Sequence, residues 1–149
     1  MANAYIDALR MLGRRELSEA QVRQRLQRRQ HSPEDIDAAV DRLLAERAID
    51  DVRVAEAIAR TQTGVKRRGK LRVRRHIEQA GVPAAIAKRV TDEIFEALDP
   101  EALIAAALAK RLRGRERIAD AAEFSRLYRY LTGQGFEPDR VLATLRKYN

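Results

Sequence analysis

The chain has no cysteine and no tryptophan. Without thiols it can form neither disulfides nor thiolate-bound metal sites, a composition that fits the reducing cytoplasm. There are only two histidines, His31 and His76, far apart and outside any metal-ligand spacing. Both read as satisfied or surface side chains, and neither metal nor cofactor is expected. Aromatics make up 5% of residues, so the cores must be small and built from Leu, Ile, Val and Ala. No apolar run approaches the ~20 residues of a membrane helix, and Met1 to Asp7 lacks the basic start and apolar stretch of a secretory signal. No nucleophile stands with a base: Ser18, Ser32 and Ser125 read as caps or surface residues. The Asp35/Asp37/Asp41 and Asp92/Glu93/Glu96 groups read as helix-face acids. An enzyme is not expected.

What is present is one helical pattern written three times. Val22 and Leu26 lie four apart, a break follows, and Ser32-Pro33 restarts a run through Ile36 and Val40. Val73 and Ile77 precede Gly81, and Pro83 restarts a run through Ile86 and Val90. Leu127 and Leu131 precede Gly135, and Pro138 restarts a run through Val141 and Leu145. A period of roughly 50 residues signals a row of similar helical units, not one closed pocket, and such arrays bind long partners. The expectation is an all-α, elongated array of three tandem three-helix repeats, residues 1–50, 51–98 and 99–149.

The helix starts are legible. Ser18 with Gln21 three residues on is a capping box, in which side chains satisfy otherwise unpaired amides. Ser32-Pro33 places proline where the helix has no use for its missing amide. Asp50-Asp51 puts negative charge at a helix N-terminus. The apolar stripes expected to be buried include Tyr5, Ala8, Leu9 and Leu12 in the first helix, and Ile36, Val40, Leu43 and Leu44 in the third.

The net charge is +8, which points to an anionic partner. Residues 1–50 hold nine Arg against nine acids and are neutral, whereas residues 51–98 hold eleven cations against six acids. The excess is densest between residues 66 and 75, where Lys66, Arg67, Arg68, Lys70, Arg72, Arg74 and Arg75 occupy seven of ten positions. On a helix wheel Arg68, Arg72 and Arg75 lie opposite Val73 and Ile77, which predicts an outward cationic ridge. Such a ridge repels itself unless a polyanion or acidic surface neutralises it. The middle repeat is expected to carry this ridge without help from the third.

The same stretch imitates a phosphate-binding loop. Gly64 through Lys70 fits its first seven positions, but Leu71 stands where a Ser or Thr should hold magnesium. A helical pattern, not a strand, precedes it. Nucleotide binding is not expected.

The assembled residues resemble the RecX family, regulators of the RecA recombinase. Arg14-Arg15-Glu16-Leu17-Ser18-Glu19 is similar to that family's opening motif. Arg42-Leu43-Leu44 through Ile49-Asp50-Asp51-Val52-Arg53-Val54-Ala55 resembles its most distinctive stretch. Gly69-Lys70-Leu71-Arg72 with Ile77 and Gly81-Val82 resembles its glycine–basic–helix segment, and Gly133-Gln134-Gly135-Phe136 its C-terminal glycine–phenylalanine turn. Departures are Gln30-His31, where glycine and an aromatic or apolar residue are common, Val54 in place of phenylalanine, and His76 where an acid is frequent. The resemblance implies a cytoplasmic, non-enzymatic protein that binds the RecA filament on single-stranded DNA, in its helical groove, and suppresses strand exchange. The residues expected to meet DNA or filament are the seven cations of 66–75. Single-stranded and also double-stranded DNA are the nucleic-acid partners, no membrane is involved, and a monomer is expected. The competing reading is a helix-turn-helix-like transcriptional regulator, with a structural RNA- or ribosome-associated protein behind it.

Overall fold

The computed structural model describes residues 3–149, which form nine α-helices and no strand. They are α1 (Ala4–Arg14), α2 (Glu19–Arg28), α3 (Pro33–Ala45), α4 (Asp51–Arg60), α5 (Lys70–Gln79), α6 (Ala84–Glu96), α7 (Pro100–Leu112), α8 (Ala121–Gly133) and α9 (Pro138–Arg146). The expected all-α class is observed.

Most starts follow from a side chain that feeds an orphan amide. Ser18 Oγ accepts the Gln21 amide at 3.2 Å while Gln21 Oε1 accepts the Ser18 amide at 3.0 Å, the capping box read from sequence. Ser32 Oγ accepts the Asp35 amide at 3.1 Å, with Pro33 in the first turn. The Asp50-Asp51 pair divides its work. Asp50 caps α4 through the Arg53 amide at 3.1 Å, whereas Asp51 accepts the Glu19 amide at 2.9 Å and ties α4 to the start of α2. Burial is the larger influence on the Asp51 carboxyl and raises its pKa, against the lowering effect of that amide.

The chain divides into two compact units, Met1–Ile58 with His76–Lys88, and Ala59–Arg75 with Arg89–Asn149. These units do not follow boundaries at 50 and 98, since α5 and α6 each give residues to both. The division into three repeats is therefore proposed for the order of the helices along the chain.

In the first unit α1, α2 and α3 pack on one another around Ala8, Leu17, Val22, Leu26, Val40, Leu43 and Ile49. Leu9 and Leu44, read from sequence as part of the buried stripes, are instead 37% and 39% exposed. Each follows a buried neighbour, and the 100° step of a helix carries it off a stripe that Ala8 and Leu43 already fill. His31 is satisfied: its Nε2 lies 2.7 Å from Asp7 Oδ2, both side chains buried. Ser18 Oγ also donates to the Ala80 carbonyl at 2.5 Å.

In the second unit α7, α8 and α9 pack around Ile104, Leu108, Leu112, Leu127, Leu131, Val141 and Leu145. Its loop between α7 and α8 is pinned by Arg115, whose guanidinium forks onto Glu123 at 2.9 and 2.6 Å. Glu123 also accepts the Ala119 amide at 2.9 Å. The Arg115 hydrogen bond first, and that amide second, hold the Glu123 pKa at about 2.

Candidate nucleic-acid interface

The cationic stretch lies in the second unit up to Arg75, and the local chain path decides which cations face solvent. After α4 the backbone continues into a π-helical turn, Thr61–Val65. This wider turn leaves Lys66 to donate its amide to the Thr61 carbonyl at 3.2 Å and Arg68 to the Gln62 carbonyl at 2.8 Å. Arg67 between them takes a left-handed conformation, φ 53°. The Gly69 amide donates to the Gln134 carbonyl at 2.8 Å and the Leu71 amide to the Gly135 carbonyl at 3.0 Å. The α8–α9 turn therefore caps the start of α5.

These bonds dispose of the phosphate-loop imitation. A phosphate cradle needs free amides aimed at one point, and the amides of Lys66, Arg68 and Gly69 already serve protein carbonyls. Lys70, which would reach the phosphates, holds Asp92 at 2.7 Å.

The seven cations have unlike roles. Arg68 is half-buried, donates through Nη1 to the Gln134 side-chain oxygen, and encloses an Nε that has no partner. Arg72 is half-buried and donates to the Gly133 carbonyl at 3.2 Å. Arg74 is half-buried and engaged within the protein. Of the ridge expected from the helix wheel, Arg75 alone is exposed. Arg68 and Arg72 instead fasten the α8–α9 turn, because Gly133–Gly135 passes beside the face that the wheel assigned to water.

Lys66 and Arg67 are exposed and border a hollow of about 440 Å³, together with Val65, Lys110, Tyr130 and Gln134. Among the described residues neither they nor Lys110 has an acid partner. Val65 is 78% exposed at its edge. Arg111 lies over the Tyr130 ring at 3.6 Å from its centre, which adds charge and steadies the ring. Lys110, Arg111 and Tyr130 escaped the sequence reading. They are distant in sequence and sit in a less basic stretch, so only packing brings them beside residue 66. The arrangement suits an anionic strand: unpaired cations around a hollow with an aromatic and an aliphatic side chain at hand.

Comparison with known proteins places this geometry in context. A sequence profile described as "RecX, first three-helix domain" matches residues 4–43. The chain is 33% identical over 135 residues to the regulatory protein RecX of Chromohalobacter salexigens, covering 91% of this chain and 86% of that one. It is 33% identical over 137 residues to the regulatory protein RecX of Halorhodospira halophila, covering 91% and 82%. Against the regulatory protein RecX of Geobacillus kaustophilus it is 32% identical over 95% of its own length, but spans about half, 52%, of that longer protein. The crystal structure of RecX from Lactobacillus salivarius superposes with a TM-score of 0.78 at 17% identity, over 97% of this chain and 94% of that one. That likeness speaks for the fold.

Proposed function

This chain belongs to the RecX family of regulatory proteins, and on that premise we propose that it regulates the RecA recombinase by binding its filament on single-stranded DNA. The mechanism is occlusion. The second unit sets Lys66, Arg67 and Lys110 against the DNA phosphates or an acidic filament surface, and the rest of the chain contacts neighbouring protomers, lying in the filament groove. Linked contacts raise avidity without any one being strong. Strand exchange and nucleotide hydrolysis fall because the groove is filled, so no chemistry by this chain is needed. It acts in the cytoplasm as a monomer.

The observation that supports the reading is the meeting of unpaired cations from two separated stretches, residues 66–67 and 110, around one hollow. The test adds the protein to preformed RecA filaments. Strand exchange and hydrolysis are expected to fall at fewer than one copy per RecA protomer. DNA coated by an unrelated single-strand-binding protein should recruit the chain far less. If inhibition appears only when the chain saturates the free DNA, with no RecA contact, the chain is a DNA competitor and the groove mechanism is wrong. Tight sequence-specific duplex binding without RecA would instead favour the transcriptional-regulator reading.

A further inference from the structure

The neutrality of the first fifty residues is an average that conceals a concentration of charge. Six of their nine arginines, Arg10, Arg14, Arg15, Arg25, Arg28 and Arg29, surround a single hollow of about 530 Å³ whose other lining residue is the buried Met11. Arg10 and Arg14 stand one turn apart near the end of α1, Arg25 and Arg28 near the end of α2. The hollow is thus formed where two helices end together, within the first compact unit.

Four of the acids that balance the count are committed to other arginines. Glu19 and Asp37 hold Arg23 at 3.0 and 2.6 Å, Glu46 holds Arg42 at 2.9 Å, and Glu16 holds Arg53 at 2.7 Å. Among the described residues the only acid paired with any of the six is Asp7, 3.6 Å from Arg29 and already bonded to His31. Among those residues Arg10, Arg14, Arg15, Arg25 and Arg28 have no acid partner. The ends of α1 and α2 offset part of this charge, but a helix terminus supplies only about half an elementary charge, against five unpaired guanidinia.

We infer that this arginine hollow is a second phosphate-binding site, taking the backbone of a nucleic-acid strand. Guanidinium groups fork onto phosphate oxygens and are weakly hydrated, so a ring of them around one hollow favours phosphodiesters over scattered carboxylates. The lining offers no aromatic ring for a base, so contact is to the backbone and indifferent to sequence. The site stands apart from the filament reading, because it needs only this chain and DNA.

The test is fluorescence anisotropy of labelled oligothymidylate with the full-length protein across a salt series, beside a duplex of mixed sequence. Arg10→Gln, Arg25→Gln and Arg28→Gln are combined in one variant. Arg113→Gln, Arg117→Gln and Arg146→Gln form an equal-charge control, all exposed on the second unit. If each of the three arginines neutralises one phosphate, the log–log salt slope of the first variant falls by roughly two on single strands, at roughly 0.7 per phosphate. The control is expected to keep most of the slope. Thermal melting should stay near wild type in both, since five of the six substituted side chains are exposed and the half-buried Arg25 has no acid partner among the described residues. A slope equal to the control's overturns the inference. So does a variant that keeps its DNA binding but loses affinity for polyglutamate, which would make the hollow a dock for an acidic protein. Loss of DNA binding with intact RecA-filament inhibition would leave this site standing and sink the use of DNA in the filament reading.

Discussion

Gly69 and Gly135 meet backbone against backbone, and no larger residue fits at either place. A Cβ on Gly69 would overlap the Gly135 carbonyl carbon and the Phe136 amide, and one on Gly135 would overlap the backbone nitrogen and Cβ of Arg72. Gly135 also has φ +102°, a conformation that side chains resist. Two stretches that look like separate motifs in sequence are therefore halves of one joint. Gly69→Ala is expected to cost about 1–3 kcal/mol through overpacking, and Gly135→Ala more, because its backbone adds roughly 1–2 kcal/mol. Equilibrium denaturation reads both. Wild-type stability in either variant would mean the joint does not hold in solution.

Gln30 follows α2 with φ 66°, a left-handed conformation that glycine adopts at least cost. Gln30→Gly relieves that conformation at some cost in unfolded-chain entropy, so a gain of about 0.5–1 kcal/mol is expected. Thermal melting should rise; a fall would show that the Gln30 side chain contributes a contact that outweighs the strain.

Ser18 is fully buried and serves two partners, the Gln21 amide and the Ala80 carbonyl. Ser18→Ala removes a cap, typically about 1 kcal/mol, and also leaves the Ala80 carbonyl without its donor, a further ~1–3 kcal/mol. Denaturation of this variant is expected to show a larger loss than Ser32→Ala, which removes a cap in a more exposed place.

Glu123 gives an acid-limb prediction. Its folded pKa of about 2 lies below the ordinary 4.5, chiefly through Arg115. A depressed carboxylate pKa contributes stability above the unfolded value, and that contribution is lost as pH falls from about 4.5 through about 2. Carboxyl carbon NMR should follow Glu123 titrating near the lower value in wild type and moving toward 4.5 in Arg115→Ala. A Glu123 shift unchanged by that substitution would refute the ion pair as its cause.

The cations of 66–75 should separate by role. Lys66→Ala with Arg67→Ala is expected to weaken DNA and filament binding while leaving the melting temperature near wild type, because both side chains are exposed. Arg68→Ala should lower the melting temperature, since it strips the Gln134 side chain of a partly buried donor. Equal melting losses in the two variants would erase the distinction.

The chain by itself determined that the protein is helical and where most helices begin. Caps such as Ser18 with Gln21 or Ser32 with Pro33 act over three or four residues, so sequence contains their whole cause. The same holds for Gly81, which ends α5 at φ +90°. It also determined that the molecule is basic and that residues 66–75 are its densest cations. Tertiary structure alone decided which of those cations are free. The helix wheel places Arg68 and Arg72 outward, but the turn at Gly133–Gly135 arrives there from far along the chain and takes them. A chain cut after Leu98 would lack the Gln134 and Gly135 carbonyls that bind the Gly69 and Leu71 amides, a dependence that the sequence reading of a self-sufficient middle repeat does not contain. Packing likewise assembled Lys66, Arg67 and Lys110 around one hollow, and six arginines around another within a stretch whose net charge is zero. Net charge sums over positions along a chain, whereas a polyanion meets charges as they are distributed in space, and only folding sets that distribution.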